Sequence, residues 1–222
     1  MIKITDIKTF VTCPDKDIHG KGVNLVIVKV ETNQDGLYGL GCATYSPRCL
    51  SVVTFLEKHL KPLLIGRDPR DTQDLWMLCY THGYYRNGPV SNVAVGGIDM
   101  ALWDIKGKIA NLPVYQLLGG KSREALAIYR YATGVTKEDV LEKAQALWEE
   151  GYHYIRCQIL PEVLCPEGSV WQTEHPKSGL YCDPRRYMYY NLEMFFYIRE
   201  KMGFEVQLLH DCHERLTPID AI

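Results

Sequence analysis

The sequence has no apolar run of the roughly 18–20 residues that a membrane-spanning helix needs. It also has no excess of charge of one sign, because 25 lysines and arginines stand against 27 aspartates and glutamates. That balance gives no electrostatic reason to expect a nucleic acid or an anionic membrane as partner. The N-terminus alternates like a strand and lacks the apolar core of a signal peptide. We therefore expect no membrane and no nucleic-acid partner.

The cysteines show no CxxC spacing. All eight are scattered along the chain: Cys13, Cys42, Cys49, Cys79, Cys157, Cys165, Cys182 and Cys212. This pattern argues against a zinc site and against a secreted disulfide scaffold. We interpret the cysteines as mostly buried free thiols in a reducing compartment, and the protein as cytoplasmic. The composition, with 46% hydrophobic and 23% charged residues, is ordinary for a globular protein.

The first 120 residues have the pattern of a small antiparallel sheet followed by helices. Strands are predicted at residues 2–11, 23–31 and 37–44. Asn-Gln-Asp-Gly at residues 33–36 is typical of a hairpin turn. Apolar residues at helical spacing predict helices at residues 50–64, from Asp71 onwards, and from about 92 to 111.

The third of these helices is the longest. Ser91 is its predicted N-cap, and Ile109 is among the apolar residues expected on its inner face. Gly96 and Gly97 would let another backbone approach closely, although each costs about 1 kcal/mol relative to alanine. Pro113 is expected to end the helical region.

After Gly120 the pattern changes to alternating strands and helices. The predicted order is a strand at 125–132, a helix at 136–151, a strand at 152–158, a helix at 187–202 and a strand at 205–213. The connection at 159–186 contains four prolines and is long enough to be functional or mobile. Thr217 is the predicted N-cap of a following helix with Pro218 at its first position. Three successive β/α units predict a parallel sheet or barrel.

The last predicted strand ends in a pair of residues that suggest chemistry. Asp211 and His213 point to the same face if the chain is extended. A carboxylate that can hold a divalent cation would then lie beside an imidazole that can move a proton. His210 would face the other way, as a packed strand residue. From these residues alone, a surface aspartate and histidine in an ordinary loop is the alternative.

Residues 93–120, VAVGGIDMALWDIKGKIANLPVYQLLGG, resemble the signature of the mandelate racemase/muconate lactonizing enzyme branch of the enolase superfamily. Four further stretches resemble its mannonate dehydratase/D-galactonate dehydratase-like subgroup, which includes proteins called starvation-sensing. They are YGLG at 38–41, PLLIGRD at 62–68, RNGPV at 86–90 and LLHD at 208–211. The resemblance runs over essentially the whole chain.

The resemblance implies an α+β capping domain at residues 1–120, followed by a (β/α) TIM-type barrel whose first strands occupy residues 121–222. A complete barrel takes about 250 residues, and three parallel strands alone would leave an apolar edge exposed. We therefore interpret the chain as a fragment, with a truncated pseudoenzyme as the alternative. The fragment by itself is not expected to catalyse a reaction. Homo-oligomers are expected by family analogy.

The resemblance also implies a reaction on a small-molecule sugar acid with Mg²⁺ as cofactor. Asp211 matches a metal ligand, His213 matches an acid/base, and Arg156 matches an arginine that assists a loop tyrosine as the opposing base. Removing the proton α to the carboxylate creates an enediolate, which a hard cation stabilises. A histidine near neutral pKa can protonate the departing hydroxyl. The expected product is a 2-keto-3-deoxy sugar acid.

Three departures from the family pattern change this expectation. No tyrosine lies between Arg156 and Gly179, and Tyr181 matches a later family tyrosine without the base's role. Ser46 stands where the family has a substrate-binding asparagine, and Tyr131 stands where it has a histidine. We expect poor or no activity on D-mannonate. The alternatives are a catalytically silent sugar-acid-binding or regulatory protein and, among enzymes, an epimerase that reprotonates the same enediolate on its other face.

Overall fold

The computed structural model describes residues 1–12, 24–160, 184–213 and 215–222. These residues form two compact units, Met1–Ser122 and Arg123–Ile222. Most of the predicted connection at 159–186, including Tyr181, lies outside the described residues, as do Cys13, Cys165 and Cys182. Within the described ranges, none of the helices combines the length and the apolar character needed to cross a membrane.

The first unit contains an antiparallel sheet of three strands. They are β1 (Ile4–Thr12), β2 (Leu25–Thr32) and β3 (Tyr38–Cys42), hydrogen-bonded in that order. The predicted hairpin turn between β2 and β3 is confirmed, with Gly36 at a φ of 72°. One face of β2 is fully buried through Val26, Val28 and Val30. The alternation in the sequence therefore predicted this meander correctly.

The helices of the first unit follow the sheet. They are a short 3₁₀ turn (Ser46–Arg48), α1 (Cys49–Phe55), a π-helical segment (Leu56–Leu60), α2 (Lys61–Leu64), α3 (Thr72–His82), α4 (Pro89–Ala110) and α5 (Val114–Leu117). The predicted helix at 50–64 is therefore helical throughout but changes type along its length. Ile109, expected on the inner face of α4, is 42% exposed.

The start of α4 differs from the prediction. The helix begins at Pro89, and the residue before it is Gly88 at a φ of 94°. Proline suits the first helical position because its fixed φ is helical and its missing N–H would have no partner there. Ser91 therefore lies inside the first turn, and its hydroxyl donates to the carbonyl of Asn87 at 2.7 Å. The prediction of Ser91 as N-cap was wrong.

Strand β3 packs directly on α4 because its inward-facing residues are glycines. A Cβ built at Gly39 would lie 1.9 Å from the Ala101 carbonyl oxygen, and one built at Gly41 would lie 1.9 Å from that of Gly97. No side chain fits at either position. In α4 itself, a Cβ at Gly97 would approach the Cβ of Ala43 to 2.7 Å. The predicted close approach is thus confirmed at Gly97.

Gly96, by contrast, faces open space, with no atom within 4 Å of a built Cβ. We expect Gly96→Ala to raise the free energy of unfolding by about 1 kcal/mol, because alanine is the better helix former. Gly97→Ala should lower it by about 1–3 kcal/mol, because the added methyl forces β3 and α4 apart. Urea denaturation of the two variants measures both changes. Equal effects at the two positions would contradict this contact.

The second unit contains a parallel sheet of three strands in the order β4-β5-β6. Two helices connect the successive strands. The elements are β4 (Arg130–Gly134), α6 (Lys137–Glu149), β5 (Tyr154–Ile159), α7 (Pro184–Met202) and β6 (Gln207–Leu209). The alternation of three strands with two helices and the parallel pairing of the strands are confirmed. The helix predicted to open at Thr217 is not, because residues 218–221 form a turn. Within the described residues, these strands form an open sheet with α6 and α7 packed on one face.

Two strands of this sheet are shorter than predicted. β4 begins at Arg130 and not at 125, because Leu126 and Ile128 are more than 60% exposed and pair with no strand. β6 ends at Leu209, so the chain leaves the sheet before Asp211. Apolar alternation indicates that a segment can form a strand, but the strand's length depends on where its neighbour offers backbone partners.

The described cysteines are less buried than we predicted. Only Cys79 and Cys157 lie in the core, where burial raises the pKa of both thiols to about 12. Cys49 and Cys212 are half-buried, and Cys42 is exposed. The interpretation as mostly buried thiols was therefore wrong for the described part of the chain. These five cysteines are all free.

Helix α6 begins with a capping box. The backbone N–H of Asp139 donates to the Thr136 hydroxyl at 3.2 Å, and the Asp139 carboxylate accepts from the backbone N–H of Thr136 at 2.9 Å. A further bond from the Val135 N–H reaches the same carboxylate at 3.0 Å. These bonds favour the ionised acid and hold the pKa of Asp139 below its ordinary value of 3.8, with the Thr136 bond as the largest cause.

A carboxyl group whose pKa is lower in the folded state stabilises the fold above its unfolded pKa, and this stabilisation is lost as the pH falls through the folded pKa. We expect Asp139→Asn to be less stable than wild type at neutral pH and to approach wild-type stability at acidic pH. Urea denaturation at both pH values measures the difference. Glu142→Gln, an exposed change on the same helix outside the capping box, is the control. A pH-independent deficit in Asp139→Asn would refute the assignment.

Candidate active site

The candidate site lies on the face of the parallel sheet opposite the two helices. Along β5, Ile155, Cys157 and Ile159 point into the core with α6 and α7. Arg156 and Gln158 alternate with them and therefore point to the other face. The register places Tyr131 of β4 and Leu209 of β6 on either side of Arg156. Asp211 and His213, the other residues of the site, follow the end of β6.

Asp211 and His213 lie in a turn, not in a strand. His213 has a φ of 47°, a left-handed conformation, and its backbone N–H donates to Asp211 Oδ1 at 3.0 Å. The two side chains therefore do not share a face of an extended chain, and that prediction was wrong. The turn nevertheless brings them together, with 3.4 Å between His213 Nε2 and Asp211 Oδ2.

The guanidinium of Arg156 lies at the centre of the cluster. Its side chain is only 10% exposed, and its Nη2 lies 3.0 Å from Asp211 Oδ2. The same Nη2 lies 3.3 Å from Gln158 Oε1 and 3.4 Å from His213 Nε2. Its Nε is buried without a hydrogen-bond partner among the described residues. A mostly buried cation thus has a carboxylate and an imidazole within contact distance.

The charges and hydrogen bonds of the cluster define what each group can do. The backbone N–H of His213 is the largest cause of a lowered pKa for Asp211, and the charges of His213 and Arg156 act in the same direction. Asp211 is therefore ionised at neutral pH. His213 Nδ1 lies 3.2 Å from the carbonyl oxygen of Asp211, which can only accept a hydrogen bond, so Nδ1 carries a proton. His213 Nε2 faces Asp211 Oδ2 and Arg156 Nη2, each at 3.4 Å.

The two residues that we expect at substituted family positions lie in different units. Tyr131 belongs to the second unit, and its ring centroid lies 4.8 Å from the Arg156 guanidinium carbon. Ser46 belongs to the first unit, where its hydroxyl accepts a hydrogen bond from the backbone N–H of Asn24 at 3.1 Å. The structure therefore groups Tyr131 with Arg156, Asp211 and His213, and shows a local structural contact for Ser46.

Comparison with known proteins identifies the family. Residues 18–119 match the model of the mandelate racemase/muconate lactonizing enzyme N-terminal domain. A D-galactonate dehydratase family member, RspA from Pantoea ananatis, is 45% identical over 235 residues, which cover 99% of this chain and 55% of that protein. This chain belongs to the mandelate racemase/muconate lactonizing enzyme family. A D-galactonate dehydratase family member from Enterococcus gallinarum is 46% identical over 223 residues, covering 99% of this chain and 53% of that protein.

Solved structures of the enolase superfamily agree with this family assignment. An enolase from Pantoea ananatis, crystallised with D-gluconate and Mg, is 45% identical and superposes with a TM-score of 0.80 over 100% of this chain and 56% of that one. A putative dehydratase from Zymomonas mobilis is 30% identical, with a TM-score of 0.73 over 100% of this chain and 57% of that one. The chain thus spans about half the length of the family members that it matches.

Family membership raises the question of which residues could hold a metal ion. In the described residues, no three His, Cys, Asp or Glu side chains are grouped closely enough to do so. The carboxylate of Asp211 is ionised and half-exposed, and it is an oxygen donor of the type that Mg²⁺ prefers. Its Oδ2 is paired with Arg156. Asp211 therefore fits as one ligand, and the described residues do not form a complete Mg²⁺ site.

A buried hydrogen-bond chain behind Asp211 was not predicted. His210 Nδ1 donates to the Cys157 carbonyl at 2.9 Å, and the hydroxyl of Tyr187, a fully buried residue of α7, lies 2.6 Å from His210 Nε2. Burial lowers the pKa of His210 and raises that of Tyr187 to about 12. His210 is packed against Tyr187 and Phe195, as predicted, but it lies just after β6 and not in a strand. Nothing in the sequence indicated Tyr187 as its hydrogen-bond partner. These hydrogen bonds connect the end of β6 to β5 and α7.

We expect Tyr187→Phe to lower the free energy of unfolding by about 1–3 kcal/mol, because it leaves His210 Nε2 partly buried without a donor. Tyr189→Phe, on the same helix but 70% exposed, should change it by less than about 0.5 kcal/mol. Urea denaturation at neutral pH measures both variants. A Tyr187→Phe protein as stable as the Tyr189 control would mean that the hydroxyl does not support this part of the fold.

Proposed function

We propose that the protein is an Mg²⁺-dependent acid-sugar dehydratase that converts a sugar acid to its 2-keto-3-deoxy derivative. The cluster of Arg156, Asp211 and His213 at the end of the parallel strands carries this proposal. The D-galactonate dehydratase names of the relatives support the reaction class. The related enolase crystallised with D-gluconate and Mg supports the ligand class and the cofactor.

Each residue of the cluster has a distinct role in this proposal. The Arg156 guanidinium would bind negative charge that develops on the substrate's carboxylate, because it is held in place and mostly removed from water. His213 would protonate the departing hydroxyl through Nε2, since Nδ1 is engaged with a carbonyl. Asp211 would contribute one ligand to Mg²⁺. When bound, the cation would stabilise the enediolate, and its other ligands would have to come from outside the described residues.

The proposed substrate is a sugar acid other than D-mannonate. The family's substrate-binding asparagine and histidine are replaced by Ser46 and Tyr131, and no tyrosine lies between Arg156 and Gly179. A site that loses polar partners for one substrate discriminates strongly against it, because buried polar groups are left unpaired. We also propose that residues 1–120 are the capping domain and residues 121–222 the first part of the barrel.

A second candidate is a catalytically silent sugar-acid-binding protein. The ion pair of Arg156 with Asp211 favours it, because the pair ties up a carboxylate oxygen that a metal would need. Such a protein would keep the guanidinium as an anion-binding group without turning over the ligand. An epimerase remains the runner-up among enzymes, since it would share the enediolate.

The decisive experiment incubates the purified intact protein with Mg²⁺ and a panel of sugar acids that includes D-gluconate, D-galactonate and D-mannonate. We expect a 2-keto acid from at least one member and little or none from D-mannonate. His213→Asn should lower this rate by about 100-fold or more, the usual effect of losing a general acid. His82→Asn, at the exposed end of α3, is the matched control. Chelation of Mg²⁺ with EDTA should abolish product formation.

The same panel distinguishes the alternatives. Thermal stabilisation by a sugar acid without any 2-keto product would favour the binding protein. A change of configuration at C2 without loss of water would favour the epimerase. Product that is unchanged in His213→Asn would remove His213 from the mechanism.

A further inference from the structure

Asp211 and His213 lie just beyond the end of the parallel sheet. β6 ends at Leu209, and residues 210–213 follow it as irregular chain and a turn. Both side chains nevertheless lie beside the guanidinium of Arg156, at 3.0 and 3.4 Å from its Nη2. Backbone that leaves a sheet loses the ladder hydrogen bonds that fix its path. Contacts of another kind must therefore hold this segment in place.

The side chain of His210 takes over where the backbone pairing stops. The register of β5 with β6 ends with Arg156 opposite Leu209, so the next pair would join Cys157 and His210. In a continuing ladder, the Cys157 carbonyl would accept a backbone N–H from the neighbouring strand. It accepts the Nδ1–H of His210 instead, at 2.9 Å, since a carbonyl can only accept. The imidazole thus replaces a backbone donor at the point where β6 ends.

Helix α7 holds the other side of this imidazole. The Tyr187 hydroxyl lies 2.6 Å from His210 Nε2, and Tyr187 is only 1% exposed. The ring of Phe195 packs perpendicular to the imidazole, with 5.6 Å between the ring centroids. A side chain that is packed and hydrogen-bonded on several sides keeps a fixed orientation. The imidazole of His210 is therefore fixed between β5 and α7.

From this fixed position the chain enters the turn that carries the site. His210 directly precedes Asp211, whose carbonyl oxygen lies 3.4 Å from the same Tyr187 hydroxyl and 3.2 Å from His213 Nδ1. The Asp211 carbonyl thus connects the buried contacts to the imidazole of His213. A shift of the backbone here would move the Asp211 carboxylate away from Arg156 and would change the direction of the His213 ring.

We propose that His210 is a positioning residue, whose imidazole ends β6 and fixes the turn that carries Asp211 and His213. Its effect on catalysis rests on the proposed dehydratase function, whereas its effect on the turn does not. His210 transfers no proton itself, because its ring contacts α7, on the face of the sheet opposite the guanidinium of Arg156. It acts by holding the backbone from which the two side chains of the site extend.

Two variants of the intact protein test this role. His210→Leu keeps a buried side chain but offers no donor to the Cys157 carbonyl, whereas His210→Asn keeps an amide N–H near the position of Nδ1. With Mg²⁺ and the active sugar acid, His210→Leu should lower kcat by about 10–100-fold with a smaller change in KM, as for other residues that orient a metal ligand. His210→Asn should recover most of this loss. His153→Leu, at an exposed histidine just before β5, is the matched control and should keep the wild-type kcat.

Hydrogen exchange followed by mass spectrometry measures the turn without any substrate. In His210→Leu, peptides that contain residues 210–213 should exchange about tenfold faster than in wild type, because the bond from the His213 N–H to the Asp211 carboxylate opens more often. Peptides from α6 should keep the wild-type rate, whereas a general loss of stability would accelerate both. His210→Asn should exchange almost as slowly as wild type in all of these peptides.

Wild-type kcat and exchange in a folded His210→Leu protein, or equal defects in the leucine and asparagine variants, would overturn the role of His210 and leave the dehydratase proposal standing. If the wild-type protein forms no 2-keto acid from any sugar acid, the dehydratase proposal fails, and the exchange rates still decide whether His210 fixes the turn. If His210→Leu does not fold, Tyr187→Phe takes its place, because it removes the partner of Nε2. Wild-type kcat and exchange in that variant would then overturn the role of His210.

Discussion

The mostly buried guanidinium of Arg156 is the constraint on which the candidate site depends. Removing a charge from water costs several kcal/mol unless partners in the protein replace the lost hydration. Here the replacements come from three directions: the carboxylate of Asp211 after β6, the amide of Gln158 on the same strand, and the ring of Tyr131 on the neighbouring strand. The turn at His213 completes this arrangement by orienting the Asp211 carboxylate. Folding of the second unit thus assembles these groups together.

In the same arrangement, both oxygens of the Asp211 carboxylate already have a partner. One carboxylate oxygen accepts from the His213 backbone, and the other is paired with Arg156. Any cation that binds this carboxylate must compete with the guanidinium for it. The hydrogen bonds of His210 with the Tyr187 hydroxyl and the Cys157 carbonyl hold the backbone of this segment in place. A functional site needs such support from the surrounding residues to keep its side chains in position.

Helices and strands with a regular spacing of apolar residues were predictable from the sequence. Contacts between residues far apart in the sequence were not. The spacing of apolar residues predicted α3, α6, α7 and the order of the β/α units, because one buried face imposes a repeat. Strand ends were missed, since they depend on the neighbour's backbone. The left-handed turn at His213 has no marker such as glycine or asparagine at that position. Family resemblance selected Arg156 and Asp211, but not their ion pair across 54 intervening residues. Nothing in the sequence indicated the contact of Tyr187 with His210.

The π-helical segment Leu56–Leu60 has a consequence for how the first unit is built. Val52, Leu56, Leu60 and Leu64 recur every fourth residue, and each is at most 1% exposed. In an ideal α-helix each such step overshoots a full turn by about 40°, so the fourth residue would rotate out of the core. The π-helical turn contains more residues than an α-helical turn, so it cancels this rotation. All four side chains therefore stay on the buried side of the helix. It also comes directly before the helical turn of Pro62, which has no N–H to donate. One irregular turn thus corrects the phase of the buried residues next to a position that cannot donate a hydrogen bond.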